Sequence, residues 1–349
     1  MKRRKILVFA QEAGAAEALI PVLKSLSKLC DCNIKALEPA ATVFRRNFND
    51  VQGWTGELDT SSKGNWDLLL VGYGRSRNPE VVNIFRLAKK ISLTSVFLLD
   101  NWKGIDRFFR PDGNPYKLMP DFLLVMDEQT KNILVEGGIE DERITVVGNP
   151  RLEWHSKIRN NSNDRALNRK LLGVGEEDQV YFLASEILHW HSYWTPCSHS
   201  KEETCINLFE APAGGMPLWK KLENNQLQDK KSILLIRSHP NEKITNINNI
   251  HVVDWNKFDE ISLLQIADGV FGLTSMFVLL SVAVGIPTFN VAPYLDNWHP
   301  NHSFLLERQW ERLSRQGFYG KLPNVESSQP AHKGATKRAV DTVLAFADY

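Results

Sequence analysis

The sequence predicts an α/β protein made of two Rossmann-like domains, each built on a parallel sheet. Short apolar runs of the kind that a parallel sheet buries on both faces alternate with helical stretches. The alternation stops at the polar segment Arg159–Asp164 and then starts again. The chain has 349 residues, enough for about two domains of roughly 150 residues each.

Strands and helices alternate through the first half, which is typical of a sheet covered by helices on both faces. Pro79 suits the start of a helix, and Gly137-Gly138 suits the end of the next one. The predicted strands are Lys5–Ala10, Asn33–Leu37, Asp67–Val71, Ser95–Leu99, Phe122–Met126 and Ile144–Val147. The predicted helices are Ala15–Leu29, Pro79–Lys90 and Glu128–Glu136.

The same pattern returns in the second half. The predicted strands are Val180–Ala184, Ser232–Ile236, Gly269–Phe271 and Thr288–Val291, and the predicted helices are Met276–Val284 and Ala335–Asp348. Gly285 is expected in the left-handed position after the first of these helices, and Pro287 prevents it from continuing. Residues 187–217 are an insert rich in Trp, His, Pro and Gly, and uncovered loops of this length are uncommon unless they have a function.

Composition excludes some classes of function. The formal net charge of +1 gives no electrostatic basis for bulk binding of nucleic acid. The apolar stretch Val270–Val284 is shorter than the roughly 20 residues that a membrane span requires. The basic segment Lys2–Lys5 leaves contact with a membrane surface open, although a solvated segment is favoured. Four scattered cysteines indicate reduced thiols in a cytoplasmic protein.

Two polar segments follow strands of the second half. Arg237 and His239 come directly after an apolar strand and precede Pro240, while Thr274 and Ser275 precede a helix. Arginine offers a fork of donors to phosphate oxygens, and a neutral histidine also donates. Hydroxyls at a helix N-terminus complete an anion site. Each feature alone has a structural explanation, as a cap or a buried histidine, but together they favour a phosphate clamp.

Three segments resemble the two-domain GT-B glycosyltransferases and the related non-hydrolysing UDP-N-acetylglucosamine 2-epimerases. Ile144–Leu152 looks like the segment that closes the N-terminal domain in those proteins. Ile236–Pro240, IRSHP, is similar to the arginine-x-histidine-proline turn of the epimerases, and to the His-Pro motif of bacterial sialyl-, polysialyl- and glycerophosphate transferases. Leu273–Pro287 looks like the phosphate-binding helix of all these enzymes.

The resemblance implies two domains that face a central cleft. Residues 1–160 would bind the acceptor, residues 161–330 the nucleotide donor, and the helix in residues 331–349 would cross back to the first domain. His239, Thr274 and Ser275 would hold the donor phosphate, with Arg237 beside them. The chain departs from the epimerases at the helix start, where they carry Ser-Gly or Gly-Gly, and around Ser281, where they carry a glutamate. A hydroxyl pair looks more like the sialyltransferases, whose donor is a CMP-sugar, so the two resemblances together imply a donor that is UDP- or CMP-linked.

Transfer to a hydroxyl needs a base near the acceptor, and the first half offers three acids for this role. In the families that the chain resembles, the base comes from this side of the cleft. Asp100 is the first choice, Glu12 the second and Asp106 the third. The alternatives are that Asp100 only caps the following segment and that Glu12 is an exposed acid in a turn.

Other residues are expected to line the cleft around the acceptor. They are Gly14, Trp102, which offers a face for stacking on a sugar, and Ser185 with Glu186. His189 and His191 are spaced so that both could ligate a metal, but no supporting carboxylate or cysteine is near them in the sequence. No metal site is therefore predicted, and no Asp-x-Asp motif is present.

These observations predict a metal-independent transferase that moves a glycosyl or sugar-like group from a nucleotide donor to an acceptor hydroxyl. The donor is a substrate, so no cofactor is expected. One alternative is a non-hydrolysing nucleotide-sugar 2-epimerase, which needs several acids in its cleft. A second alternative is a non-catalytic protein that binds nucleotide-sugars, in which Asp100→Ala would change nothing measurable.

Overall fold

The computed structural model describes residues 3–57, 65–73, 79–100, 108–109, 113–158, 162–184, 232–237, 251–253, 257–272, 275–290 and 333–347. The chain divides into two compact units. Unit 1 contains Met1–Trp154 and Ser328–Tyr349, and unit 2 contains His155–Ser327.

Unit 1 is built on a seven-stranded parallel sheet in the order β3-β2-β1-β4-β5-β6-β7. The strands are β1 Lys5–Ala10, β2 Asp31–Ala36, β3 Val51–Gly53, β4 Leu68–Tyr73, β5 Ser95–Leu99, β6 Phe122–Val125 and β7 Ile144–Val146. The helices between them are α1 Ala13–Leu26, α2 Ala40–Arg45, α3 Pro79–Lys90 and α4 Glu128–Glu136. Helix α5, Pro150–Ile158, follows β7.

Unit 2 contains a second parallel sheet, whose described strands have the order β10-β9-β8-β11-β12. The strands are β8 Gln179–Ala184, β9 Ser232–Arg237, β10 His251–Val253, β11 Gly269–Gly272 and β12 Thr288–Asn290. The helices are α6 Ser162–Leu171, α7 Glu260–Ile266 and α8 Met276–Ala283. The two strand orders follow one Rossmann-like scheme, which confirms the predicted fold class.

The last helix, α9 (Ala335–Phe346), returns to unit 1, as the predicted fold class requires. Phe346 stacks on Phe122 of β6 with ring centroids 3.7 Å apart. Arg338 donates from Nε to the carbonyl of Val147 at 3.0 Å. Glu153 of α5 accepts backbone N–H bonds from Gly334 and Thr336, at 3.0 and 2.8 Å, and so satisfies donors at the start of α9.

The core of unit 1 forms where α1 and α9 cover the sheet. Leu19, Leu23 and Leu26 of α1 are fully buried against the strands. Val343 of α9 is also fully buried in the same cluster. Because both faces of the central strands are covered, Ile6–Ala10 is apolar and buried without interruption.

The sequence located the long strands well but missed several short elements. Helices α2, α5, α6 and α7 and strands β3 and β10 were not predicted. Helix α1 begins at Ala13 and ends at Leu26, whereas the prediction extended it to Leu29, whose residue surface is 55% exposed. Gly285 has a φ of 73°, which confirms the left-handed position expected after α8.

Candidate functional site

Both sheets have a topological switch point, where the strand order reverses and crevices open at the carboxyl ends of the strands. In unit 1 the switch lies between β1 and β4, and in unit 2 it lies between β8 and β11. The segment from Gln11 to Gly14 follows β1, and Ser275 follows β11. The sequence-predicted residues that the structure describes are found at or beside these two places.

In unit 2, the ends of β9 and β11 lie at the same level on either side of β8. Leu183 of β8 pairs with Ile236 of β9 and with Phe271 of β11. Arg237, the last residue of β9, pairs with Ala184 and so lies one position beyond these residues, toward the carboxyl edge of the sheet. The chain leaves β11 after Gly272 and starts α8 at the same edge of the sheet.

Ser275 is the N-cap of α8. Its backbone is extended, with φ −70° and ψ 155°, and its hydroxyl accepts the N–H of Val278 at 3.3 Å. The sequence had left Thr274 and Ser275 as alternative caps. The remaining N–H groups of the first turn and the helix dipole give this end of α8 a partial positive charge.

Arg237 contacts the first turn of α8. Its guanidinium carbon lies 4.8 Å from the ring centroid of Phe277, a cation–π distance. The guanidinium also forms an ion pair with Glu260, in the first turn of α7, and the two side chains are only 12% and 8% exposed. Two of the four predicted phosphate-binding residues, Arg237 and Ser275, thus lie at the start of one helix.

Glu260 is a member of this cluster that sequence reasoning missed. Nothing local marks it, because it follows Asp259, which is an ordinary N-cap that accepts the N–H of Ser262 at 2.8 Å. The available signal was a physical requirement: an arginine at the end of a buried strand needs a carboxylate partner. The sequence does not say which acid supplies it.

Ser281 has a structural role within α8. Its hydroxyl donates to the carbonyl of Val278 at 2.7 Å and lies 2.7 Å from the hydroxyl of Thr288. Ser281 and Thr288 are both fully buried. A satisfied hydroxyl pair therefore joins α8 to β12.

In unit 1, Asp100 follows β5 and is only 3% exposed. Gly14 lies in the first turn of α1, and a Cβ added there would be 2.9 Å from Oδ2 of Asp100. The same point lies 3.8 Å from Nη1 of Arg151, the second residue of α5. The absence of a side chain at Gly14 leaves the space that the Asp100 carboxylate occupies.

Glu12, the second predicted base, occupies the N-cap position of α1. Its backbone is extended, with φ −94° and ψ 148°, and its side chain does not cap the helix. Its carbonyl accepts the N–H of Ala16 at 3.1 Å. The neighbouring Gln11 was not predicted; its buried Oε1 has no hydrogen-bond partner in the part of the chain that the structure describes.

Asn149 and Arg151 are also members of the unit 1 cluster that the sequence did not identify. Oδ1 of Asn149 accepts the N–H groups of Arg151 and Leu152 at 3.0 and 3.2 Å, which makes Asn149 the cap of α5. An asparagine followed by Pro150 is a helix-start signal that could have predicted α5. The same asparagine contacts Sδ of Met126 through Nδ2 at 3.0 Å.

Several predicted residues lie outside the described parts of the chain. They are His239 and Thr274 of the phosphate clamp, Trp102, Ser185 and Glu186 of the acceptor side, Asp106, and the insert 187–217. Within the described ranges, no three histidine, cysteine, aspartate or glutamate side chains are grouped as a metal site would need. No helix in those ranges is long and apolar enough to cross a membrane.

Comparison with known proteins relates the chain to others by structure alone. No protein-family model matches the sequence, and no curated protein matches it. The solved structure of UDP-GlcNAc 2-epimerase from Neisseria meningitidis, bound to UDP-GlcNAc, is similar over 98% of this chain and 100% of that one, at 13% identity and a TM-score of 0.61. The Rickettsia bellii UDP-N-acetylglucosamine 2-epimerase is similar over 100% and 98%, at 13% identity and a TM-score of 0.62.

A polymerase is also among the similar structures. The wall teichoic acid polymerase TagF, soaked with CDPG, is similar over 99% of this chain and 89% of that one, at 12% identity and a TM-score of 0.56. The likeness to these proteins confirms the GT-B fold that the sequence motifs indicated. The His-Pro turn lies outside the described residues, so that part of the resemblance stays a prediction.

Proposed function

We propose that the chain is a GT-B-type glycosyltransferase that moves a sugar or sugar-like group from a nucleotide donor to an acceptor hydroxyl. One observation carries the proposal: Arg237 lies over Phe277 in the first turn of α8, the helix that Ser275 caps. A guanidinium and a helix N-terminus at one switch point form an anion site suited to phosphate. His239 and Thr274 complete the proposed clamp.

The proposed reaction forms a bond between the acceptor oxygen and the sugar carbon while the bond from that carbon to the donor phosphate breaks. The acceptor proton goes to a carboxylate, Asp100 in the first place and Glu12 in the second. The electron pair of the broken bond leaves with the nucleotide. Arg237 and the N–H groups of α8 stabilise the charge that develops on the phosphate. No cofactor takes part, because the nucleotide-sugar is itself the substrate.

The acceptor side of the proposal consists of Gly14, Trp102, Ser185 and Glu186. Gly14 belongs to it because a Cβ at this position would stand 2.9 Å from Oδ2 of Asp100. The cytoplasmic location also belongs to the proposal and rests on cysteine usage, since Cys30 and Cys32 are free thiols.

Epimerisation at the 2-position is the second candidate function. The fold likeness to UDP-GlcNAc 2-epimerases from three organisms favours it. An epimerase inverts the configuration at the 2-position of the sugar in its nucleotide-sugar, and this reaction needs no acceptor. Incubation with UDP-N-acetylglucosamine alone, followed by chromatographic separation of the manno isomer, decides between the two. Appearance of that isomer without an acceptor would replace the transferase proposal.

A thermal-unfolding panel of UDP-, CMP-, GDP- and TDP-sugars tests nucleotide-sugar binding directly. A donor at 100 times its Kd stabilises the bound unit by about 2.7 kcal/mol. For a unit of this size that corresponds to a rise in Tm of roughly 5–10 °C. The matched control is Arg237→Met with Glu260→Met, which replaces the ion pair with two apolar side chains and removes the guanidinium. A folded double variant that binds the donor as well as the wild type would refute the role of Arg237.

A further inference from the structure

A buried carboxylate and a buried guanidinium both lie beside Gly14 at the carboxyl edge of the unit 1 sheet. Asp100 and Arg151 are each 3% exposed. Oδ2 of Asp100 and Nη1 of Arg151 lie 2.9 and 3.8 Å from the same point, the position that a Cβ would take on Gly14. A carboxylate and a guanidinium withdrawn from water need charged or hydrogen-bonding partners, because each loses its hydration on burial.

The surrounding backbone fixes the positions from which the side chains of Asp100 and Arg151 extend. Asp100 is the first residue after β5, and Arg151 is the second residue of α5. Asn149 joins these elements, because its Oδ1 caps α5 while its Nδ2 lies 3.5 Å from the carbonyl oxygen of Asp100. The start of α5 is therefore held against the end of β5, and Arg151 extends from that junction toward Gly14.

The first turn of α1 supplies the third component of the arrangement. The dipole of a 14-residue helix places partial positive charge at its N-terminus, where a carboxylate is stabilised. Gly14 permits the carboxylate to approach, since any Cβ there would stand 2.9 Å from Oδ2. Glu12, at the N-cap position of α1, carries the same sign of charge as Asp100.

We propose that Arg151 is a positioning residue for Asp100, holding its carboxylate aimed at the start of α1. The inference rests on the proposed function, in which Asp100 accepts the proton of the acceptor hydroxyl. In this proposal Arg151 limits the directions that the Asp100 carboxylate can take. The pair thus supplies a base whose orientation is set before substrate binds.

A double-mutant cycle on the full chain tests this coupling without any substrate. Asp100→Asn and Arg151→Met each leave one buried charge without its opposite, and each is expected to lower the Tm of unit 1 by roughly 6–20 °C. The double variant carries no charge at either position. Its Tm is expected to lie no lower than that of the less stable single variant. Additive losses would show that the two side chains act independently and would overturn the inference.

The turnover number kcat distinguishes a positioning role of Arg151 from a purely structural role, because a purely structural role would leave kcat unchanged. UDP release from UDP-N-acetylglucosamine is measured with and without a hydroxyl acceptor. Arg151→Met is expected to lower kcat by roughly 10- to 100-fold while KM for the donor stays within about twofold. Arg151→Lys retains the charge and is expected to recover most of the lost kcat. Unchanged kcat in Arg151→Met, or no recovery with lysine, contradicts a positioning role.

Different results would refute the proposed transferase function and the proposed positioning role of Arg151. A wild-type chain that releases no nucleotide from any of the four classes of donor refutes the proposed function. The stability cycle still decides whether Arg151 holds Asp100, because it needs no donor. If the chain is active but Asp100→Asn has full kcat, Asp100 is not the base, and the positioning role of Arg151 is refuted with it.

Discussion

The buried ion pair between Arg237 and Glu260 leads to the sharpest prediction for unit 2. Replacing Glu260 with glutamine keeps the shape of the side chain but removes its charge. The guanidinium of Arg237, only 12% exposed, then loses the carboxylate that compensates for its burial. Breaking a buried pair in this way costs about 3–5 kcal/mol. Because glutamine still accepts one hydrogen bond, we expect the lower end, about 3 kcal/mol.

That loss of unfolding free energy is large enough to measure in two independent ways. For a unit of the length of unit 2, about 3 kcal/mol corresponds to a fall in Tm of roughly 6–12 °C. Urea titration followed by tryptophan fluorescence should show a lower midpoint with an unchanged slope. Calorimetry on the same samples shows whether the chain, which divides into two compact units, unfolds in one transition or two and which transition moves.

A matched control shows whether burial causes the effect. Lys337 and Asp341 form an ion pair on the surface of α9, with side chains 81% and 56% exposed. Asp341→Asn removes the same charge from an exposed pair and should cost less than about 1 kcal/mol. If Glu260→Gln costs no more than Asp341→Asn, Arg237 does not depend on Glu260 and the account of the buried pair is wrong.

Three further predictions concern single side chains. Gly14→Ala should displace the Asp100 carboxylate and lower kcat at least about tenfold, for a stability cost of about 1–3 kcal/mol; Gly53→Ala, which has nothing within 4 Å of the added Cβ, is the control. Ser275→Ala should cost about 1 kcal/mol through the lost cap and also raise the donor Kd, and an unchanged Kd in calorimetric titration would leave Ser275 as a cap alone. Burial and the neighbouring thiol raise the pKa of Cys32 to about 12, so its alkylation by iodoacetamide at pH 8, followed by peptide mass spectrometry, should be about 1000-fold slower than in the unfolded chain. Alkylation of Cys32 at the unfolded rate would contradict that assignment.

The raised pKa of Cys32 also fixes the sign of its effect on stability. The thiol of the unfolded chain ionises around its ordinary pKa of 9.0, while the folded thiol keeps its proton until about pH 12. The unfolded state therefore binds fewer protons between these values, and stability falls as pH rises through that window. Below pH 9 both states hold the proton, so Cys32 contributes no pH dependence there.

Local features of the fold could be predicted from the sequence where all the residues that determine them lie within one short segment. Ser275 caps α8 and Gly285 ends it with a positive φ, and both signals are complete within a few residues. The buried strands were readable for the same reason, because a run such as Ile6–Ala10 is apolar throughout. The prediction made helix α1 too long, because Leu29 continues the apolar pattern but lies in the turn that leads from α1 into β2.

The side-chain contacts of the candidate site could not be predicted from short segments of the sequence. Glu260 reaches Arg237, and Arg151 approaches Asp100, only after separate strands have been placed side by side. Sequence spacing carries no information about such pairs, and each chain segment offers more than one acid or base. The sequence could predict that Arg237 and Ser275 share one edge of a sheet, because both follow strands of the same parallel sheet. It could not predict which carboxylate would neutralise the arginine.

The two units use one topology with opposite arrangements of charge, and this contrast supports the assignment of the donor to unit 2. Each unit places a helix N-terminus at its switch point. In unit 1 Oδ2 of Asp100 lies nearer than Nη1 of Arg151 to the position of a Cβ on Gly14, at 2.9 against 3.8 Å, so an incoming phosphate would meet a carboxylate first at that helix start. In unit 2 the side chain against the helix start is Arg237, which attracts a phosphate. A neutral hydroxyl suits the first environment, where the buried Oε1 of Gln11 can accept a hydrogen bond from it, and an anionic leaving group suits the second.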